Sequence, residues 1–221
     1  SWSLTRQAHG EQPMWAGIVL AAMLGQIGLP GGGIGIGYSA VNRVGYDLNR
    51  VSFASVPQGI NAVKEFIPVA RIADMLLQPG SPFDYNGGCY SYPDIQLIYW
   101  AGGNPFHHHQ DLARLIRAWQ KPQTVISHEW CWNALAHHSD IVLPVTTPVE
   151  RRDIAMTPLD PYLVSMEPAI EPVGQARDDY DIFTALSELM GVEDAFTEGR
   201  TSEDWQRWLY AVSYTHLTLP T

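Results

Sequence analysis

Three short polar segments of the sequence carry side chains able to hold a ligand. The first, GGNPFHHHQ over residues 102–110, sets two glycines and an asparagine ahead of a proline and three histidines. Glycine lets backbone approach a ligand closely, Asn104 can both donate and accept, and Pro105 stiffens the turn. Three consecutive histidines have the composition of a metal site, but adjacent side chains diverge and at most two can reach one ion. A histidine touching a bound ligand is the favoured reading. The second segment, SHEWCW over 127–132, offers His128 and Glu129. A carboxylate there could accept the paired N–H donors of a guanine-type base, the alternative being a solvated loop acid. The third, VERRD over 149–153, holds Arg151, whose planar fork suits phosphate. An ordinary ion pair between Glu150 and an arginine is the competing reading. No Ser/His/Asp order and no nucleophile-elbow motif is present. Cys89 and Cys131 match no zinc or iron–sulfur spacing and read as free thiols.

Each segment follows a run with the character of a strand. Residues 95–100 (IQLIYW) are nearly continuously apolar, as expected of a strand covered on both faces. Leu112, Leu115, Ile116 and Trp119 then repeat with helical spacing. Residues 124–127 (TVIS) read as the next strand, 133–138 as a short helix and 140–145 (DIVLPV) as a third strand, with Pro144 marking its end. Strands alternating with helices across short loops predict an α/β fold with a parallel, doubly wound, Rossmann-like sheet. Ligands bind beyond the carboxyl ends of such strands, which is where the three polar segments fall. Downstream, 179–190 reads as a helix, and Thr201 and Asp204 have capping-box spacing ahead of a helix over 205–211.

Upstream of residue 95 the pattern is mixed. Met14, Ile18, Val19, Ala22 and Met23 recur as in a buried core helix, with Pro13 in its first turn. The run GLPGGGIGIG over 28–37 follows a helix and fits no G-x-G-x-x-G register, so it fails as a dinucleotide fingerprint. It reads instead as a loop passing close to something bulky, a neighbouring domain or a cofactor. A short helix is expected after Pro68, and Asn86-Gly87 between aromatic flanks reads as a hairpin turn. The expected organisation is therefore residues 1–94 as part of a mixed α/β domain with a glycine-rich loop, and 95–211 as a Rossmann-like cofactor-binding section. Residues 212–221 (VSYTHLTLPT) break from the preceding composition and resemble translated sequencing-adapter read-through, a non-native tail.

The 221 residues include 13 Lys and Arg against 23 Asp and Glu, a net charge of −10 with no basic run, which argues against a nucleic-acid partner. The longest apolar run, 14–24, is shorter than the roughly 18–20 residues of a membrane span. Ser1 falls within sequence of structured character, so the chain reads as an internal section of something longer.

Five segments together resemble the dimethyl sulfoxide reductase family of molybdopterin enzymes, in its biotin sulfoxide reductase and trimethylamine-N-oxide reductase branch. They are WSLTRQAHGEQP (2–13), LAAMLGQIGLPGGG (20–33), YWAGGNPFHHHQD (99–111), DIVLPVTTPVER (140–151) and ARDDYDIF (176–183). The similarity covers nearly all of residues 1–211 in the right order. It implies a multidomain α/β enzyme built around a bis(molybdopterin guanine dinucleotide) molybdenum cofactor. The enzyme would reduce an S-oxide or N-oxide by oxygen-atom transfer, with electrons from a donor protein or reductant, in the bacterial periplasm or cytoplasm. It further implies cofactor contacts from Trp2, Ser3 and Arg6, from Asn104 and His108, from His128 and Glu129, from Arg151 and from Asp181. Glu129 stands where an Asp is common in the family, WNALA (132–136) replaces a more usual W-T-A-T-A, Arg152 stands where Asn is common, and TPLDP (157–161) lacks the usual glycine- and tyrosine-containing turn. The molybdenum-ligating serine of this branch would lie upstream, so no residue here is assigned as metal ligand or as catalytic. A non-catalytic nucleotide-binding α/β module is the alternative from another class. A formate dehydrogenase or nitrate reductase relative is a lesser one within the superfamily.

Overall fold

A computed structural model describes residues 2–5, 9–35, 53–155 and 163–218. The chain divides into two compact units, Ser1–Arg50 and Val51–Thr221. In the first, a 3-10 turn at Trp2–Thr5 precedes helix α1, Glu11–Met23. Pro13 occupies the first turn, where an amide N–H has no intrahelical partner to lose. The helix stops at Gly25, whose φ of 65° is left-handed. The helix forms where the sequence places it, but it is not a covered core helix. Ala21 is buried, whereas Trp15 is 60% and Met23 80% exposed. A helix that is apolar all round needs neighbours on every side. The described residues of this unit supply only the turn before α1 and the loop after it. In that loop the close approach is internal: a Cβ at Gly32 would lie 2.5 Å from the carbonyl oxygen of Gln26. Ile36 and Gly37, the end of the glycine-rich run, lie outside the described residues.

The second unit starts with a 3-10 turn at Val69–Arg71 that runs into helix α2, Ile72–Leu77. Strands β1 (Pro82–Tyr85) and β2 (Gly88–Ser91) pair antiparallel through Asn86-Gly87. Both turn residues have positive φ, 49° and 80°, the mirror-image turn expected of that dipeptide. There follow β3 (Leu97–Ala101), α3 (Pro105–His108), α4 (Leu112–Trp119), β4 (Thr124–Glu129), β5 (Ile141–Pro144), β6 (Asp153–Ala155) and β7 (Val164–Met166). Helices α5 (Asp179–Leu189), α6 (Glu193–Thr197) and α7 (Ser202–Thr218) close the chain. The short helix expected over 133–138 is a 3-10 turn, Ala136–His138.

Strands β3, β4 and β5 form one parallel sheet in that order, with Trp100 beside Ser127 and His128 beside Leu143. A parallel bridge from Val145 to Arg177 extends it by one residue pair and delivers the chain to the start of α5. The expected α/β fold with a parallel sheet is therefore present. Its layers follow from strand periodicity, since alternate side chains point to opposite faces. On one face Ile98, Trp100 and Val125 pack with Leu115, Ala118 and Trp119 of α4 and Leu76 of α2. Burying a side chain like Leu115 contributes about 1.5–3 kcal/mol. On the other face Tyr99 and His128 meet Phe183 of α5, with ring centroids 5.7 and 5.0 Å apart. Among the described residues central β4 is the most buried strand, while β3, paired there on one side only, leaves Leu97 half exposed.

Two side-chain caps hold helix starts, of which the second is the one read from the sequence. Asp111 accepts from the backbone N–H of Arg114 at the start of α4. Thr201 and Asp204 bond reciprocally: the Asp204 N–H donates to Thr201 Oγ1 at 3.2 Å, and the Thr201 N–H donates to Asp204 Oδ2 at 3.1 Å. Helix α7 runs on through residues 212–218, where the Ser213 hydroxyl donates to the Leu209 carbonyl and accepts from the Ala54 N–H.

Candidate functional site

A cleft of about 660 Å³ opens at the carboxyl ends of the parallel strands, walled by the loops after β3, β4 and β5 and by the first residue of α5. After β3 the chain turns through Gly102 and Gly103 at φ 81° and 72°, a left-handed path that side chains resist. Asn104 then caps α3, its Oδ1 accepting from the Phe106 N–H at 2.9 Å. Its Nδ2 is buried and has no partner among the described residues. His107 and His108 line the cleft, while His109 stands edge-on to the Trp100 ring.

At the end of β4 the alternation of the strand sends His128 and Glu129 different ways. Glu129 is 6% exposed. Its Oε2 accepts from Asn133 Nδ2 at 2.6 Å, and its Oε1 is buried without a partner among the described residues. Burial pushes this carboxyl above the usual carboxylate range, with the Asn133 bond and His107 pulling the other way. The His128 ring uses both nitrogens, Nε2 with the Tyr99 hydroxyl at 2.7 Å and Nδ1 with Asp179 Oδ1 at 2.6 Å.

The loop after β5 supplies Thr146, Thr147, Pro148 and Arg151. Arg151 donates through Nη1 to the Thr146 carbonyl at 2.8 Å and through Nε to Asp153 at 3.1 Å. The Glu150–arginine pair that competed in the sequence does not form. Glu150 instead turns inward, accepting from the N–H and hydroxyl of Thr147 and from the Val173 N–H. Those bonds hold its carboxyl below the usual range.

Of the residues singled out in the sequence, Asn104, His108, His128, Glu129 and Arg151 come together on this one cleft. Asp181 does not line it; Asp179, two residues earlier, does. Trp2 and Ser3 belong to the 3-10 turn of the first unit, and Arg6 lies outside the described residues, as do 157–161. Sequence reasoning missed Asp179, Asn133 and the two threonines. Three acids within four residues at 178–181 were a visible signal, but the start of α5 decides which of them faces the cleft. Among the described residues no group of three His, Cys, Asp or Glu side chains could hold a metal ion, and both cysteines are free and exposed. No helix among them is long and apolar enough to cross a membrane.

Residues 1–189 match the family model of molybdopterin oxidoreductases. The chain belongs to the molybdopterin oxidoreductase family. This molybdopterin oxidoreductase chain is 50% identical over 216 residues to a biotin sulfoxide reductase of Cereibacter sphaeroides, covering 98% of the chain and 29% of that protein. It is 44% identical to a dimethyl sulfoxide/trimethylamine N-oxide reductase of the same organism, over 92% of the chain and 26% of the relative. It is 43% identical to a trimethylamine-N-oxide reductase of Haemophilus influenzae, over 96% and 27%. The chain thus spans between a quarter and a third of the length of these curated relatives. Among solved structures, acetylene hydratase from Pelobacter acetylenicus aligns with a TM-score of 0.43 at 20% identity, covering 52% of the chain and 18% of that structure. Membership of this family implies a molybdenum–pterin cofactor.

Proposed function

We propose that the cleft holds a guanine nucleotide end of a bis(molybdopterin guanine dinucleotide) molybdenum cofactor, in a protein that reduces S-oxides or N-oxides. Biotin sulfoxide, dimethyl sulfoxide and trimethylamine N-oxide are the substrate types that the names of its relatives supply. The observation that carries the reading is a pair of orphaned buried atoms on one cleft, the donor Asn104 Nδ2 and the acceptor Glu129 Oε1. Each unpaired group costs about 1–3 kcal/mol. A nucleotide that both accepts and donates relieves both costs at once, which an anion or an apolar ligand does not.

The other residues fit the same ligand. Gly102 and Gly103 let backbone approach it, and Arg151, held by Asp153 and the Thr146 carbonyl, brings a fixed positive charge suited to pyrophosphate. His108, which lines the same cleft, completes the proposed contact set there. When bound, the molybdenum of this cofactor supplies oxygen-atom transfer, while the protein binds, orients and sets its electrostatics. In this arrangement residues 95–211 form the cofactor-binding section, 1–94 part of a mixed α/β domain with a glycine-rich loop, and 212–221 a non-native tail. The whole is a section of a larger multidomain enzyme that takes electrons from a separate donor.

Metal and nucleotide analysis of the complete protein tests this. Molybdenum with about two guanine nucleotides per metal is the expected result, the ratio that a bis-dinucleotide cofactor requires. Neither metal nor nucleotide, in a host that makes the cofactor, overturns it in favour of the non-catalytic α/β binding module.

A further inference from the structure

We propose that Cys131 is a modification site gated by the ligand of the cleft: a low-molecular-weight disulfide reaches its thiol while the cleft is empty, and adduct and cofactor exclude each other. This gating rests on the cofactor reading of the same cleft and adds a redox control to it. Cys131 carries a free, exposed thiol and stands in the wall of the cleft, between Glu129 and Asn133. The backbone that presents it is pinned. The Cys131 carbonyl accepts from the Asn133 N–H at 2.9 Å, and Asn133 Nδ2 donates to Glu129 Oε2 at 2.6 Å. Two groups other than the thiol mark this cavity as made for a ligand. Glu129 and Asn104, 6% and 8% exposed, line it and carry buried polar atoms with no partner among the described residues. Whatever satisfies Glu129 therefore lies beside a loop whose thiol is open to solvent.

The step is a thiol–disulfide exchange. The Cys131 thiolate attacks one sulfur of a disulfide such as glutathione disulfide. The S–S bond of the reagent breaks, a bond from Cys131 Sγ to one glutathione sulfur forms, and the other half leaves as a thiolate that takes up the proton Cys131 released. Cys131 is oxidised and the reagent reduced, and an excess of added thiol reverses both. Access governs whether the attack occurs. With the cleft empty the thiol faces an opening of about 660 Å³, and a nucleotide seated against Glu129 fills that opening. Once formed, the adduct puts a tripeptide and its carboxylates into the cleft that Arg151 also lines, the group suited to pyrophosphate. Each occupant thus lowers the affinity for the other, and the coupling is reciprocal. Cys89 supplies the comparison. It is equally free and exposed, but it belongs to β2 and does not line the cleft, so the ligand should leave its reactivity alone.

The test uses the complete protein in two forms, loaded from a host that makes the cofactor and empty from a host that does not. Both are treated with glutathione disulfide, and peptide masses report the adduct at each cysteine. The Cys131 peptide is expected to carry glutathione in the empty protein and to stay unmodified in the loaded one, while the Cys89 peptide reacts to the same extent in both. The treated empty protein is then offered molybdopterin guanine dinucleotide released from loaded protein, and retained guanine nucleotide is measured. Retention is expected to be lost on treatment, to return after dithiothreitol, and to be untouched by treatment in Cys131→Ser. Equal modification of Cys131 in the two forms, an unreactive Cys131 in the empty one, or retention lost equally in treated Cys131→Ser overturns the proposal. Were Cys131→Ser to fold poorly, the peptide masses of the parent still decide. A parent that holds no nucleotide, from a host that makes the cofactor, sinks the cofactor reading and the gating with it; a loaded parent whose Cys131 reacts as in the empty form sinks the gating alone.

Discussion

Replacing Glu129 by glutamine should move the empty and the loaded protein in opposite directions. In the structure one carboxylate oxygen accepts from Asn133 at 2.6 Å and the other is buried with no partner among the described residues. Glutamine keeps the shape and, with its oxygen toward Asn133 Nδ2, keeps that bond. Its amide nitrogen then takes the orphaned position as a neutral group. An unsatisfied charged atom costs more than the 1–3 kcal/mol of a neutral one, so the empty protein should gain about 1 kcal/mol. That is a rise of roughly 2–4 °C in melting temperature for a unit of this size. The sign carries a pH signature. Burial raises the folded-state carboxyl of Glu129 above its ordinary range. Its contribution is therefore intact below the unfolded pKa and is lost as pH rises through the folded one. The advantage of Glu129→Gln should accordingly be seen near neutrality and vanish in acid. In the loaded protein the same change sets an N–H₂ against the donors of the ligand and forfeits a charge-assisted bond worth about 1.5–3 kcal/mol. Melting curves of cofactor-free protein between acid and neutral pH, with guanine nucleotide content of the loaded form, measure both halves. A variant less stable when empty, or one that retains its nucleotide like the parent, refutes the reasoning.

Other outcomes are as specific. Arg151→Ala should lower molybdenum and nucleotide content while leaving the KM for oxide substrate of the molecules that remain loaded near that of the parent; full molybdenum with weakened substrate binding contradicts the phosphate role. Ser127→Ala should be neutral or stabilising by up to about 1 kcal/mol in a urea titration, because the Ser127 hydroxyl is fully buried without a partner among the described residues; a clear loss contradicts it. Leu115→Ala, at a position with no exposed surface, should cost about 2–5 kcal/mol through the cavity left under β4, read in the same titration. Glu150, held below the usual carboxylate range by Thr147 and Val173, contributes stability that is present above its unfolded pKa and lost as pH falls through the folded one. Acid should therefore expose the 146–150 loop to protease, and Glu150→Gln should remove that pH dependence.

What could be read in advance divides along physical lines. Strands β3, β4 and β5, helix α4, the Asn86-Gly87 turn and the Thr201–Asp204 cap all rest on local signals: apolar periodicity, a turn dipeptide, a capping pair. They appear in the structure within a residue or two. Placing polar loops at the carboxyl ends of parallel strands followed from the same pattern and collected five of the nine named residues on one cleft. Side-chain pairing was not legible. Arg151 chose Asp153 over Glu150 because Glu150 found three donors, two on Thr147 in its own loop and a third in the N–H of distant Val173, a competition that no local pattern contains. Asp179 escaped notice because only the phase of α5 separates it from Asp181. Helix α1 formed on schedule, yet its burial depended on neighbours that a local pattern does not contain.

Packing and binding occupy different parts of the parallel sheet, one face of it and the carboxyl ends of its strands, and this bears on how such a chain can diverge. The packed cluster under α2 and α4 draws on Leu76, Leu115, Ala118, Trp119 and Val125, none of which lines the cleft. The residues proposed to bind stand at the carboxyl ends of the strands, Glu129 as the last residue of β4 and the others on the segments that follow the strands. Substitutions that retune ligand preference therefore fall mainly on positions whose loss of packing is small, and substitutions that accumulate in the packed cluster leave the binding groups where they are. Asn104 is the position where the two duties meet, since one end of its amide caps α3 beside buried Phe106 while the other is buried with no partner among the described residues. The cleft loops can drift at little cost to folding, and Asn104 is the place where drift should be punished twice.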